Sequence, residues 1–243
     1  MKNSQPQVGG YIRTIVIFLQ KAILFLARYW FLLANLMALA ILAVALLAPT
    51  FMSLGWPEAG EALYRFLAPH NHQLPQRSYF LFGPQASYSL EEILAFGADP
   101  QHLEAFIGNS SIGFKTALNH RMIAIFIAIL LGGLSWGVAN ERPRWGVVGL
   151  LLLSLPLLAD GFSHLISERS GLGFRETNAW AVWLTGDSFS TEFYQGSTIG
   201  SLNWTLRTLT GFLFGLGLVW FLYSYLSDRF ATIRARLEAR YGK

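Results

Sequence analysis

Four long apolar stretches constrain this chain more than any other feature of its sequence. A bilayer core of roughly 30 Å is crossed by about 20 mostly apolar residues in a helix. Four segments meet this requirement, namely residues 30–48, 122–138, 145–166 and 204–226. Charged residues make up only 13% of the 243 residues, about half of the roughly 25% typical of soluble domains. The sequence therefore predicts an all-α, polytopic membrane helical bundle with about four transmembrane helices.

Residues 11–29 are also apolar, but basic residues interrupt them at regular intervals. Arg13, Lys21 and Arg28 recur every seven or eight residues, which places them on one stripe of a helix. This pattern favours an N-terminal amphipathic interfacial helix, so residues 1–29 are predicted to lie on the membrane surface. An extension of the first span stays open as the alternative. A cleaved signal peptide is less favoured, because the basic region before the apolar run is too long.

Two long segments separate the spans of the predicted membrane domain, which covers residues 30–226. Residues 52–118 and 167–203 are too polar to lie in lipid and too rich in aromatic side chains to be disordered. We therefore expect these two loops to fold together into a cap over one face of the membrane.

The first loop contains two local helix signals. Ser89 and Glu92 have the spacing of a capping box, which predicts a helix start. Asp99 and Pro100 have the character of an N-cap and a first helical position, and Gly108 is the predicted stop of that second helix.

The distribution of charge predicts the orientation of the chain. The N-terminal segment, residues 139–144 and the basic tail 227–243 together contain eleven Lys and Arg residues but three acids. The remainder contains seven basic and eleven acidic residues. Since cytoplasmic span ends carry the excess of Lys and Arg, both termini are predicted to be cytoplasmic. The protein is then a multi-pass protein of the inner (plasma) membrane, with its cap on the outer face.

Three spans carry ionisable residues near the ends that meet the cap. Arg121 opens the second span, Asp160 and His164 lie one turn apart near the end of the third, and Arg207 lies about one turn inside the fourth. An ionisable group within a membrane helix is costly and usually has both a partner and a function. We expect Asp160 to pair with Arg121 and Arg207. A purely architectural pair that pins the helix ends stays open as the alternative.

All five histidines fall on the predicted outer side, and His70, His72, His120 and His164 are the candidates for a metal site. The support is weak, because the chain has no cysteine and no pair of histidines at the spacing of a zinc motif. We therefore predict no metal site. Ligation of a haem or chlorophyll has still less support, and the cofactor is left unassigned.

Several motifs follow one another between roughly residues 60 and 226, namely residues 72–83, 108–115 with the following Arg121, 155–162, 175–178 and 206–215. Their order is similar to that in a family of bacterial and archaeal membrane proteins, the family called domain of unknown function 2085. The chain resembles this family, which implies an integral membrane protein. The resemblance implies no particular activity.

The chain departs from the family pattern at two positions that are typically cysteine. Asn71 and Asn119 stand there instead, and no cysteine remains elsewhere in the chain. The resemblance implies that the two positions act together, so we expect Asn71 and Asn119 to lie close in space. A Cβ separation well beyond about 7 Å would contradict this. The departure also weakens any redox or metal function.

Three classes of function stay open. The favoured one is a binding or structural subunit whose polar pocket at the outer face takes an anionic lipid, a small anionic ligand or a partner membrane subunit. The alternative is a membrane enzyme that acts on a lipid-linked or small anionic substrate, with Asp160 or His164 as acid or base. A transporter has less support, because the span interiors contain almost no polar residues. No nucleic-acid partner is predicted.

The predicted pocket combines basic, acidic, amide and imidazole side chains from the ends of the spans and from both loops. Its predicted binding residues are His72, Gln73, Arg77, Asn119, His120, Arg121, Asp160, His164, Arg175, Asn178 and Arg207.

Overall fold

The computed structural model of the chain describes residues 10–70, 73–139 and 146–241. Four of its helices are long and apolar enough to cross a membrane. They are α1 (Gly10–Ser53), α4 (His120–Val138), α5 (Gly146–Ser170) and α9 (Leu202–Tyr241). This confirms the predicted all-α membrane bundle of about four transmembrane helices.

Helix α9 is the centre of the bundle, because each of the other three spans packs against it. Its glycines allow close approach on two different faces. A β carbon at Gly215 would lie 2.5 Å from the carbonyl oxygen of Ile125 in α4, and one at Gly217 would lie 3.0 Å from Leu153 Cβ in α5. Since consecutive helical residues are about 100° apart, these two positions face in nearly opposite directions. Helix α9 therefore separates α4 from α5.

Helix α1 contacts α4 through a second pair of small residues. A β carbon at Gly133 would overlap the side chain of Asn35, and one at Gly137 would lie 2.9 Å from Phe31 Cζ. The amide of Asn35 donates to the carbonyl oxygen of Phe31 in its own helix, at 2.8 Å. Small residues at such contacts increase van der Waals packing between membrane helices.

Residues 11–29 form the N-terminal part of α1 without a break from the first span. Their apolar side chains are mostly exposed, and Arg28 forms an ion pair with Glu238 of α9 at 2.7 Å. Residues 227–241 likewise continue α9 without a break. The interfacial location of residues 11–29 stays a prediction.

The two long loops fold into a cap at one end of the bundle, and the first of them contains a small sheet that the sequence analysis did not predict. The first loop contains α2 (Pro57–Leu67), β1 (Ser78–Leu81), α3 (Leu90–Ala95), β2 (Gly108–Asn109) and β3 (Gly113–Asn119). Strand β3 pairs antiparallel with both β1 and β2, so the strand order is β1-β3-β2. The second contains α6 (Phe174–Thr177), α7 (Ala179–Thr185) and α8 (Thr191–Gln195).

One of the two local helix signals is confirmed. Ser89 and Glu92 form both hydrogen bonds of a capping box at the start of α3.

The prediction of a helix from Asp99 to Gly108 is wrong. The carboxylate of Asp99 accepts from the backbone N–H of Gln101 in a tight turn, and only a short 3₁₀ turn follows. The backbone N–H of Lys115 in β3 donates to the carbonyl of Ile107. The end of this segment therefore pairs with the sheet.

The cap is anchored on the bundle by apolar packing and by the chain path. A buried cluster that includes Ala48, Tyr64, Leu118 and Ile123 lies where α1, α2, β3 and α4 meet. Strand β3 passes directly into α4, with Asn119 as the helix N-cap. The two cap segments also bond to each other, since Ser87 Oγ accepts from the backbone N–H of Ile199 at 2.9 Å.

A substitution at Gly113 tests how closely strands β1 and β3 of the cap must approach each other. It has a φ of +82°, and a β carbon there would lie 2.3 Å from the carbonyl oxygen of Leu81. Gly113→Ala should therefore destabilise the protein by more than the roughly 1 kcal/mol that positive φ alone costs. The control is Gly97→Ala, where φ is +93° and nothing lies within 4 Å. Thermal unfolding in detergent would check this, and equal losses of stability would contradict the close approach.

Candidate functional site

The carboxylate of Asp160 is the centre of a buried polar cluster at the cap end of the bundle. Arg121 Nη2 of α4 donates to its Oδ2 at 2.5 Å, and Arg175 Nη2 of α6 donates to its Oδ1 at 2.8 Å. The Asp160 side chain is only 3% exposed. The predicted pairing of Asp160 with Arg121 is thus present in the structure, and Arg175 supplies the second cation.

His164 lies one turn after Asp160 in α5 and contacts two arginines. Its Nε2 is 3.1 Å from Arg175 Nη2 and 3.3 Å from Arg207 Nη2. Because a guanidinium group only donates, Nε2 accepts both hydrogen bonds and the proton of the neutral ring lies on Nδ1. Its distance of 3.9 Å from Asp160 Oδ1 is too long for a hydrogen bond.

Arg207 does not pair with Asp160, as the sequence analysis had predicted that it would. It forms no hydrogen bond with Asp160, because Arg175 occupies the Oδ1 side and Arg207 bonds to His164 instead. Within the described part of the chain, no carboxylate forms an ion pair with Arg207, and its Nη1 has no hydrogen-bond partner. Only 5% of the residue is exposed. Arg207 is therefore a buried cation without a bonded counter-charge.

Two asparagines hold the second cap segment in place. Asn203 of α9 accepts from Arg175 Nη2 and from Asn178 Nδ2, each at 3.2 Å, and its own Nδ2 donates to the carbonyl of Arg175. Asn178 has a φ of +46° and donates to the carbonyl of Tyr194 at 2.6 Å.

Burial lowers the pKa of the Arg175 guanidinium, although the Asp160 carboxylate acts in the opposite direction.

Asn203 was missed by the sequence analysis. It lies four residues before Arg207 and so on the same face of α9, which is the one signal that could have identified it.

A cavity of about 190 Å³ lies between α4, α5 and the cap. Arg77 and Glu168 form an ion pair on its wall. It is lined by Arg77, Asn119, Arg121, Gly161, His164, Leu165, Glu168 and Arg207. A second cavity of about 390 Å³ shares Arg77, His164, Glu168 and Arg207 with the first, and adds Arg175, Glu176 and Asn203 to its lining.

The charges around these cavities do not balance. Four arginines face three carboxylates: Asp160 is bonded to two of the arginines, Glu168 to Arg77, and Glu176 to the hydroxyl of Ser167. One positive charge therefore remains uncompensated within the described cluster, and Arg207 is the arginine that lacks a bonded carboxylate.

Some predicted residues lie outside this cluster. Gln73 lines neither cavity; its amide donates to the carbonyl of Tyr64, and its own carbonyl accepts from Lys115 Nζ at 2.6 Å. Burial lowers the pKa of Lys115 to about 7. His120 is fully buried, with its ring centroid 4.3 Å from that of Tyr79. These residues hold the first cap segment together.

Two expectations fall on residues outside the described part of the chain. The first is the predicted role of His72 as a binding residue, and the second is the predicted proximity of Asn71 to Asn119. Within residues 10–70, 73–139 and 146–241, no group of three His, Asp or Glu side chains is placed to hold a metal ion.

The fold and the cluster define a polytopic helical membrane protein with a buried Arg–Asp–His network at one end of its bundle. Residues 110–221 match the model of the family described as "Predicted membrane protein (DUF2085)". The match confirms the resemblance given by the sequence motifs. It includes Arg121, Asp160, His164, Arg175 and Arg207. Comparisons with curated proteins and with solved structures found no match.

Asp160→Asn tests whether this carboxylate holds the cluster together. The substitution leaves two guanidinium groups without their counter-charge, so we expect a loss of about 3–5 kcal/mol in the free energy of unfolding. The matched control is Glu168→Gln, which breaks a half-exposed ion pair and should cost at most about 1 kcal/mol. Unfolding by titration with a denaturing detergent would measure both, and similar small losses would contradict a central role for Asp160.

Proposed function

We propose that this membrane protein binds an anionic ligand in the cavity under its cap, with Arg207 as the principal contact. The observation that carries the proposal is the state of Arg207, which is buried, lines two cavities and has one guanidinium nitrogen without a partner. A buried charge costs several kcal/mol unless an opposite charge compensates for it. An anion in the cavity would supply that charge.

The shape and chemistry of the site also favour an anion. A guanidinium presents parallel N–H groups that match the oxygens of a phosphate or carboxylate. Arg77 and Arg121 line the same cavity, so a ligand bound at Arg207 would lie in a field of like positive charges. The hydrogen bonds from Arg175 and Arg207 to His164 hold that ring neutral and fixed.

The enzyme and transporter alternatives receive less support. Asp160 is fixed between two guanidinium groups and is almost fully buried, which makes it a poor general base. The polar residues of the span interiors bond within their own helices: Ser135 donates to the carbonyl of Gly132, and Ser154 to that of Leu150. They therefore provide no continuous polar path through the bundle.

Inorganic phosphate is a suitable probe of the site. Phosphate should raise the thermal unfolding midpoint of the purified protein in detergent, because a ligand at about 100 times its dissociation constant stabilises the folded state by about 2.7 kcal/mol. In Arg207→Gln this gain should disappear, and in Arg207→Lys it should be reduced, because lysine keeps the charge but loses the planar fork. Sodium chloride at equal ionic strength controls for screening.

The unliganded variants separate a binding role from a structural one. Arg207→Gln removes a buried cation that has no bonded counter-charge, so its stability without phosphate should equal or exceed that of the parent protein. Arg65→Gln is the matched control, since Arg65 is an exposed cap arginine outside the site. A large loss of stability in Arg207→Gln, or an equal phosphate effect in both variants, would refute the proposal.

We further propose that the cap faces the outside of the plasma membrane and that both termini are cytoplasmic. The excess of basic residues near the termini supports this orientation. Because the chain has no cysteine, single cysteines can report it. In intact cells, a membrane-impermeant maleimide should label Ser197→Cys in the cap and should leave Ser227→Cys unlabelled until the membrane is opened. The reverse pattern would contradict the orientation.

A further inference from the structure

Arg207 lies on the face of α9 between its contacts with α4 and α5. Successive residues of a helix are about 100° apart around its axis. Arg207 is therefore roughly 80° from Gly215, which touches α4, and roughly 80° in the opposite sense from Gly217, which touches α5. Helix α1 contacts the opposite side of α9 through Tyr223. The guanidinium of Arg207 is thus placed at the cap end of the space that α9 leaves between α4 and α5.

This space is a crevice, and among the described residues side chains bridge it near the cap. Each of the two helices packs along α9, whereas they do not pack along each other. Arg121 of α4 and Asp160 of α5 form the bridge between them. Leu165 of α5 lies on the cap side of Asp160 and lines the cavity, and Leu158, seven residues earlier and just below the ion pair, lies on the same face of α5. These side chains are 46% and 44% exposed. Phe214 lies two turns below Arg207 on nearly the same face of α9, and it is half-buried.

The apolar stripe of α5 extends to the polar cavity. Gly161 and Leu165, which belong to the same stripe of α5, line the cavity together with Arg207. On the cap side, the ion pair between Arg77 and Glu168 forms part of the cavity wall. A ligand that has both an anionic group and an apolar chain would match this arrangement, because its charge would meet the arginines and its chain would remain at membrane depth.

We propose that the ligand is a phosphate-bearing membrane lipid that enters between α4 and α5. Its phosphate binds Arg207 in the cavity, and one acyl chain lies in the crevice against Leu158 and Phe214. This inference rests on the proposed anion site. A soluble phosphate shares the chemistry of the head group, so the experiment has to distinguish the two sources.

Native mass spectrometry of the full chain can make the distinction. The protein is purified, depleted of lipid and mixed with phosphatidylglycerol, or with diacylglycerol of the same acyl chains, which lacks the phosphate. Phosphatidylglycerol should remain bound at activation energies that remove diacylglycerol. Arg207→Gln should weaken its binding about tenfold or more, since charge-assisted hydrogen bonds are lost, whereas the control Arg65→Gln should leave binding unchanged.

A second variant tests the crevice without touching the arginines. Leu158→Trp adds bulk two turns below Leu165, outside the set of residues that line the cavity. We expect it to reduce the binding of phosphatidylglycerol severalfold and to leave the stabilisation by inorganic phosphate intact. This pair of results requires a folded variant, so a general loss of folding cannot produce it.

The outcomes separate this inference from the proposed function. If phosphate stabilises the protein through Arg207 but phosphatidylglycerol binds equally well to Arg207→Gln, the site takes a soluble anion and the lipid inference is wrong. If Leu158→Trp leaves lipid binding unchanged, the entry between α4 and α5 is wrong. If neither phosphate nor phosphatidylglycerol depends on Arg207, both proposals fail.

Discussion

The salt bridges of Asp160 are the interaction on which the cap end of this structure depends. They join α4, α5 and α6, which are far apart in sequence, at one buried carboxylate. A carboxylate that is 3% exposed cannot be compensated by water, so its two guanidinium partners have to be held in place. The N-cap of α4 fixes Arg121, and Asn203 fixes the backbone of Arg175. The position of the second cap segment is therefore coupled to the packing of the spans.

The same network determines why Arg207 has no bonded carboxylate. Arg175 takes the Oδ1 side of Asp160 and also donates to His164, and Arg207 donates to the same imidazole nitrogen instead of to the carboxylate. A neutral histidine accepts a hydrogen bond from Arg207 but does not compensate its charge. The resulting surplus of positive charge lies at the wall of a cavity.

Much of the candidate site could be predicted from the depth of its residues. Arg121, Asp160, His164 and Arg207 lie near span ends that the hydropathy pattern placed at the same membrane face, and the structure brings them together. The pairing could not be predicted in the same way, because Arg175 comes from a loop whose path depends on Asn178 and its positive φ. A residue at the right depth is necessary for a contact, but the loops decide which cation reaches the carboxylate.

The cap was less predictable, since its elements are stabilised by contacts distant in sequence. The capping box at Ser89 is complete within four residues, and its helix formed as predicted. The segment after Asp99 has equally good local signals, yet Ile107 pairs with Lys115 of β3 instead. Strand β3 is itself held by apolar packing between α1 and α4. Where such packing fixes a neighbouring strand, the hydrogen bonds of a new sheet replace those of a helix that local sequence alone would favour.

The central position of α9 connects the architecture with the proposed site. Close packing through Gly215 and Gly217 places α4 and α5 on opposite sides of α9 and keeps them from sealing the space between them. A bundle with four mutually packed spans would bury Arg207 with no access from any side, and the cost of its charge would remain uncompensated. In the observed arrangement the crevice would give the proposed membrane lipid a route to that charge. The free energy gained on such binding would then offset the cost that the unliganded fold carries.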